Sequence, residues 1–567
     1  MKNISVPFSL LLLALAAFPG FAVDTPQVQP VAQAQPAGLG KLPDFRLLDH
    51  MGKSHAAHRY LDATALAFMA VPKEDADLDA RLAAYAALAQ SYSDRRVYFF
   101  LVTPSAHPGT LGDRSGGVPV LLDDAQIVLP ALGLDHAYEC VLATTAHWQV
   151  QFRGDLTGNG EGGRGMAEAL ASLEGKNPEP FATAPRGPKL DLQPAPQNVS
   201  YTRDIAPILT SKCAGCHSDG NIAPFSMDSH RKVTGWADMM AETVRGGRMP
   251  PWQADPGFGH FSNAMELNVQ EKRMLLAWLD GGAPKDGEAD PLESFKAPDP
   301  RAWRMGQPDL IVQLPEPQEI PAEGVLEYKY YEMPLNLPAG TWVSGTEIRV
   351  TQPQVMHHVL VYMRRPGESI DFTQEYIASY VPGHDPGFYP KDTGKPVPPN
   401  ATLLFQLHYT TNGKAVVDTP ELGIYLHKSP PTHEIFLGSA VNKDFYVPAF
   451  EPEVEADATF TAPSDILIYS LSPHMHYRGS RMYFEAFYPD GEREVLLSVP
   501  DYDFYWQHSY HLAQPKRVPA GTTIRVAGAF DNSVRNPINP DPSQRLGWGD
   551  QSTDEMFIGS VLYRQVD

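Results

Sequence analysis

The sequence predicts a multidomain chain with an α/β domain first, an all-α domain next and two all-β domains at the C-terminal end. Three observations predict it. A length of 567 residues exceeds what one hydrophobic core usually serves. Proline-rich stretches from Asp24 to Leu39, Asn177 to Gln197 and Pro284 to Pro300 divide the chain. Between the breaks the texture changes, and beyond the last one it becomes short β-rich runs separated by Pro, Gly and Asn.

Composition narrows the class. An apolar fraction of 43% and a charged fraction of 20% are those of a globular protein. The formal net charge of -22 argues against nucleic acid as a partner, because phosphate binding depends on Lys and Arg.

The first 22 residues read as a cleaved export signal: Lys2 gives a positive start, an apolar run extends from Phe8 to Phe18, and Gly20 and Ala22 are small residues before a cut near Val23. An uncleaved anchor is the alternative. No later stretch approaches about 18 unbroken apolar residues, so the expectation is a periplasmic or secreted protein without a stable membrane span. A linker fills 23–40.

Residues 41–176 alternate strand-like runs such as Val97 to Val102 with the helical pattern Leu78 to Ala89. With Phe45-Arg-Leu-Leu-Asp-His-Met-Gly52 and Val120-Leu-Leu-Asp-Asp-Ala-Gln-Ile-Val128, this module resembles a thioredoxin-like or peroxiredoxin-like domain. Its redox cysteines are missing. After Ala65 to Val71 the chain reads Pro-Lys-Glu-Asp, and Cys140 falls in an apolar run that suits a buried residue. The domain is expected to be structural or partner-binding.

A linker over 177–197 leads to residues 198–287, which hold the most specific motif, Cys213-Ala-Gly-Cys216-His217. Two cysteines three apart followed by His are the attachment signature of a c-type haem, with His217 as proximal ligand. A zinc site would need more Cys or His at paired spacing, and the chain has 3 cysteines in all. Tyr201 to Leu209 and Leu275 to Gly282 resemble the leading and closing helices of a bacterial cytochrome c domain. Met249, in a loop fixed by two prolines, is the chosen sixth ligand; Met239, Met240 and Met265 compete, the first two reading rather as helix core.

After a linker over 288–304, the chemistry is carried by histidines. His357-His358, His408 and His474-Met-His476 lie in strand-like segments. His474 and His476 are two apart, so one strand face presents both while Met475 points away. His357 and His358 are adjacent, so both reach one ion only across a twist or bulge, or through different ring nitrogens. His50, His55, His58, His384, His427, His433, His508 and His511 take the ordinary reading of surface or hydrogen-bonded residues.

In this order the clusters resemble the copper type II, ascorbate-dependent monooxygenases, the family of peptidylglycine α-hydroxylating and dopamine β-monooxygenases, over about Met305 to Asp567. The resemblance implies two β-sandwich domains of jelly-roll-like topology, here 305–431 and 432–567, each holding one copper. It assigns the electron-transfer copper to His357, His358 and His408. It assigns the oxygen-activating copper to His474, His476 and Met556, following Phe530-Asp-Asn-Ser533 and Trp548-Gly-Asp550. A thioether favours Cu(I), as a reduced oxygen-binding site requires. The region departs from the family in lacking cysteine, in having Ser472 where peptide-hydroxylating members have Arg, and in Phe557-Ile-Gly-Ser560, which lacks their Asn and Tyr.

The implied protein is a monooxygenase with two copper ions and one covalently bound haem c, taking O2, a small-molecule or peptide substrate and a periplasmic electron donor. The alternative is a copper-binding electron-transfer or copper-handling protein without oxygenase activity.

Overall fold

The Ala65–Ala70 strand is apolar throughout and fully buried, so both its faces must be covered. It pairs in parallel with Val97–Thr103, which pairs in parallel with Val120–Leu122. On its other side Glu139–Thr144 and then Gln149–Asp155 run antiparallel. Helices Leu78–Ser91 and Met166–Ser172 cover the sheet, with Leu78, Leu82 and Tyr85 from one and Met166 and Leu170 from the other in its core. The structure, a computed structural model, describes residues 39–157, 164–173, 175, 179–297, 299, 301–338, 340–365, 376–383 and 386–566. The export segment and His384 lie outside them.

The proline-rich stretch after this sheet is packed onto it over its described residues. Phe181–Ala182 adds a short parallel strand beside Phe152 and Arg153, and the Leu190 N–H donates to Asp135 C=O. Arg273, buried on the next region, donates to the carbonyls of Ala125, Gln193 and Pro194. Prolines lack N–H donors, so an arginine with five donors suits their unpaired carbonyls.

Residues 201–294 carry helices. A wide turn over Tyr201–Ile205 leads into Ala206–Lys212, followed by Ala237–Arg245 and Val269–Asp280. The last begins at a capping box in which Asn268 and Glu271 satisfy each other's backbone donors. Tyr201, Ile205, Leu209, Leu275 and Trp278 form the shared core.

Most of the chain beyond Leu310 is β-sheet. Lys329–Pro334, Thr402–Tyr409, Met356–Arg364 and Tyr376–Tyr380 form one antiparallel sheet in that order. Val359, Val361, Leu403 and Phe405 from it share a core with Val343, Ile348, Leu422 and Ile424 of Trp342–Arg349 and Glu421–Leu426. Alternate residues supply these contacts, as the period of two requires. Farther on, the sheet Val454–Thr461, Thr523–Phe530, Gly479–Phe487, Arg493–Val499 shares a second core with Ile466–His474 and Phe557–Gln565.

One sheet crosses the boundary expected at 431/432. Thr393–Pro396 pairs in parallel with His433–Asn442 through Thr393–His433 and Gly394–Glu434, which joins the two halves into a nine-stranded sheet. Among the described residues no helix is long and apolar enough to cross a membrane.

Candidate metal centres

His357, His358 and His408 converge. One nitrogen from each lies within 4.8 Å of the others, and all three residues are buried. His358 sits directly opposite His408 in the sheet, and the register slips between Met356 and His358. That slip is the bulge which two adjacent histidines need to turn toward one point. His358 Nε2 donates to Gln406 Oε1 at 3.2 Å, and the Nδ1 atoms of His357 and His358 approach to 3.1 Å. His357 Nε2 and His408 Nδ1 are buried with no protein partner. Such orphans are rare and costly in a core. Burial pushes the imidazole of His357 down to about 3 and that of His408 to about 4, and lowers His358 as well. Burial thus favours the neutral imidazoles, and their convergence within 4.8 Å is the donor set of a cation bound by imidazole.

His474 and His476 form the other group. The strand Ile466–His474 ends at His474, paired with Ile558, so His476 lies one step beyond the sheet. The strand ends there because buried Glu555 takes over as acceptor for the backbone: its Oε2 accepts the His476 N–H at 2.9 Å and its Oε1 the Arg478 N–H at 2.6 Å. The same-face expectation survives this ending. Both rings line one cleft with centroids 5.2 Å apart, while Met475 is buried in the core behind them. Met556, just before the Phe557–Gln565 strand, lines the same cleft. His474 Nδ1 donates to Gln507 Oε1 at 2.5 Å and His476 Nδ1 to Asp554 C=O at 3.4 Å, so each ring presents its Nε2 lone pair.

The cleft, about 110 Å³, is also lined by His358 and Tyr328, so both groups border one space. Ser379, Ser439, Ser472, Ser509 and Ser560 supply hydroxyls, and Leu437 and Ile558 apolar surface. No Lys or Arg is among its described lining residues.

Cys213, Cys216 and His217 follow the helix Ala206–Lys212 in a tight turn, where the His217 N–H bonds to Cys213 C=O at 2.9 Å. Neither cysteine is in a disulfide. His217 Nδ1 donates to Phe225 C=O at 3.1 Å, which leaves the Nε2 lone pair free for a ligand. Trp236, stacked on Phe225, is 39% exposed and Met239 is 50% exposed, large apolar surface of the kind a flat hydrophobic group covers. These residues fit a haem. Met249 is half-buried, its N–H bonded to Thr243 C=O, whereas Met240 is core and Met265 packs against the C-terminal core. Exposure of Met239 corrects its reading as helix core: it stands on the open side of Ala237–Arg245, away from the residues that Met240, Ala241 and Val244 bury.

No protein-family model matches the chain. Solved structures similar to part of it include a hypothetical protein from Sinorhizobium meliloti 1021, at 19% identity and TM-score 0.25, over 28% of this chain and 96% of that one. Another is peroxidoxin BcpB from Mycobacterium tuberculosis, at 16% identity and TM-score 0.21, over 25% and 97%. A third is the thioredoxin domain of a thiol-disulfide oxidoreductase from Bacteroides vulgatus, at 10% identity and TM-score 0.18, over 20% and 86%. The described region has three parallel strands, the first two joined through a helix, then two antiparallel strands and a helix, the layering of a thioredoxin-like fold. The N-terminal region is thioredoxin-like. It has no dithiol. Asp75 accepts from the Tyr138 hydroxyl at 2.7 Å just past the first parallel strand, and Cys140 is buried in the sheet, where burial pushes its thiol up.

Sequence reasoning missed three residues. Glu555 and Gln507 carry no motif, and His508 reads as a surface or hydrogen-bonded residue but is buried with its Nε2 donating to Pro251 C=O at 2.6 Å. No periodicity marks them, because each acts across a gap of 30 residues or more in sequence.

Proposed function

We propose that the chain is an exported copper-dependent monooxygenase that receives its electrons through a c-type haem on the same polypeptide. The observation that carries this reading is the buried trio His357, His358 and His408, two of whose ring nitrogens have no protein partner, with His358 lining the same cleft as His474, His476 and Met556. Copper in these donor sets would supply one-electron redox chemistry and oxygen activation, and a haem would supply one-electron transfer. The overall reaction takes a substrate C–H bond, O2, two electrons and two protons to C–OH and water.

The chain's own groups do the rest. The resemblance to the copper type II monooxygenases gives His357, His358 and His408 the electron-passing role. The softer set His474, His476 and Met556 takes the oxygen side. Gln507 and Asp554 hold the Nδ1 atoms, which would leave Nε2 of each ring for a copper ion. Hydroxyls, apolar walls and the Asp550 carboxyl, with no cation, disfavour an anionic substrate, because a carboxylate-terminated peptide would lack a counter-ion there.

Oxygen uptake tests the proposal. Reduced, copper-loaded holoprotein should consume O2 in the presence of small uncharged C–H substrates, and chelation of copper should abolish it. Full copper loading with no uptake for any substrate would instead support a copper-handling protein.

A further inference from the structure

The ten residues Asp501-Tyr-Asp-Phe-Tyr-Trp-Gln-His-Ser-Tyr510 link the thioredoxin-like region, both histidine groups and the loop after Met249. At one end Asp501 is held by two cations of the thioredoxin-like region, Arg46 at 3.0 Å and Arg59 at 2.9 Å. Next, the Tyr502 hydroxyl accepts from the Met475 N–H at 3.0 Å and donates to the Met475 C=O at 2.7 Å, which pins the residue between His474 and His476. Phe504 stacks on the His357 ring, centroids 4.4 Å apart and planes 21° apart. Three residues on, Gln507 holds His474 Nδ1. His508 then fixes the loop that carries Met249, through Pro251.

We propose that Asp501–Tyr510 is a strap through which the thioredoxin-like region positions both histidine groups, with Asp501 as its anchor and Phe504 and Gln507 as its contacts. Geometry favours this over ordinary loop packing. Arg46 and Arg59 converge on one carboxylate that is only 17% exposed, and charge-assisted bonds of this kind hold an orientation as well as adding energy. The contacts beyond it are a stacked ring and a hydrogen bond to a ring nitrogen, two interactions that set the direction of an imidazole. A thioredoxin-like region without a dithiol thereby acquires a mechanical role. Two further pairs keep it against the C-terminal region: Lys53 with Glu453, and Arg535 with Asp62 at 2.9 Å.

The strap's connections stand on the structure, whereas its effect on metal rests on the copper reading above, so the test has two readouts in the full chain. In copper-free protein, Asp501→Asn and, separately, Arg59→Gln should speed amide hydrogen exchange across 501–510 at least tenfold relative to wild type. In copper-loaded protein, Phe504→Leu should perturb the Cu(II) paramagnetic resonance of the His357 group most, because its ring stacks there at 4.4 Å and meets the His476 ring only edge-on at 6.1 Å. Gln507→Ala should weaken copper binding by about tenfold to a hundredfold at the His474 group alone. Asp501→Asn, which touches neither group, should perturb both signals together. Unchanged exchange in Asp501→Asn and Arg59→Gln, or unchanged resonance at both groups in Asp501→Asn, would overturn the strap. Failure of wild-type protein to take up copper would overturn the copper reading and leave the exchange test in force.

Discussion

Glu555 accepts the backbone N–H of His476 at 2.9 Å, from a carboxylate with no exposure to solvent. Its other oxygen accepts from Arg478, so one side chain replaces two strand partners at the point where the sheet ends. Burial raises the Glu555 carboxyl above its usual range, and the backbone donors oppose that rise. Glu555→Leu leaves two buried donors without acceptors, each costing about 1–3 kcal/mol. Denaturant unfolding of copper-free protein should show a loss of that order for each donor, with Glu555→Gln losing about half as much. Equal stability of wild type and Glu555→Leu would contradict this role.

Gly479 is a second point of close packing beneath the same histidines. A Cβ there would meet Met475 Cβ at 2.7 Å and Tyr502 Cδ1 at 2.7 Å. Neither neighbour is free to move, since Tyr502 is bonded to the backbone of Met475. Gly479→Ala should cost about 1–3 kcal/mol by overpacking. It should also shift the resonance of copper at His474 and His476. A fully wild-type denaturation curve would show that the space can relax.

Acid should loosen the thioredoxin-like region from its C-terminal neighbour. Asp501 and Asp62 are both raised by burial, but the arginines facing them win and hold their carboxyls below the usual range. For a depressed carboxyl the stabilisation is present in full above the unfolded value of about 3.9 and is lost as pH falls through the folded value. The contribution of these pairs to thermal stability should therefore be full and independent of pH near pH 6, and should be lost below about pH 4. An Asp62→Asn, Asp501→Asn double variant should be less stable than wild type at pH 6 and converge with it at low pH. A constant gap across the range would assign the pairs no titrating role.

The haem reading predicts a c-type pyridine haemochrome when the chain is exported in a host with haem-ligation machinery, and weakened covalent retention in Cys213→Ala. Met249→Leu should change the reduced spectrum and lower the potential. If Met249→Leu is silent, exposed Met239 on the Ala237–Arg245 helix is next to be tested.

Much of the fold was legible where the signal is local. Strand alternation gave the β-rich half, the Leu78 pattern gave the first helix, and two adjacent histidines required the irregularity found between Met356 and His358. Spacing also placed Met475 behind His474 and His476, in the core. What could not be read is non-local. The sheet that joins the two β halves does so through Thr393 and Gly394, a pairing of two residues with no pattern of its own. Asp501, Gln507 and His508 meet partners 455, 33 and 257 residues away, so no window of sequence contains both ends of those contacts. The stretch before Gln197 looked like a tether because proline suits both a linker and a packed segment, and the arginine that holds it is Arg273.

The central claim is that two separate copper centres share one cleft, and copper content by site tests it most directly. Full-chain protein titrated with copper should bind two ions. His408→Ala should remove one and leave the signal of the other intact, and His476→Ala should do the reverse. One ion lost in each variant, from different signals, is the predicted result. A wild-type chain that binds no copper, or that loses all of it in either variant alone, would contradict the account.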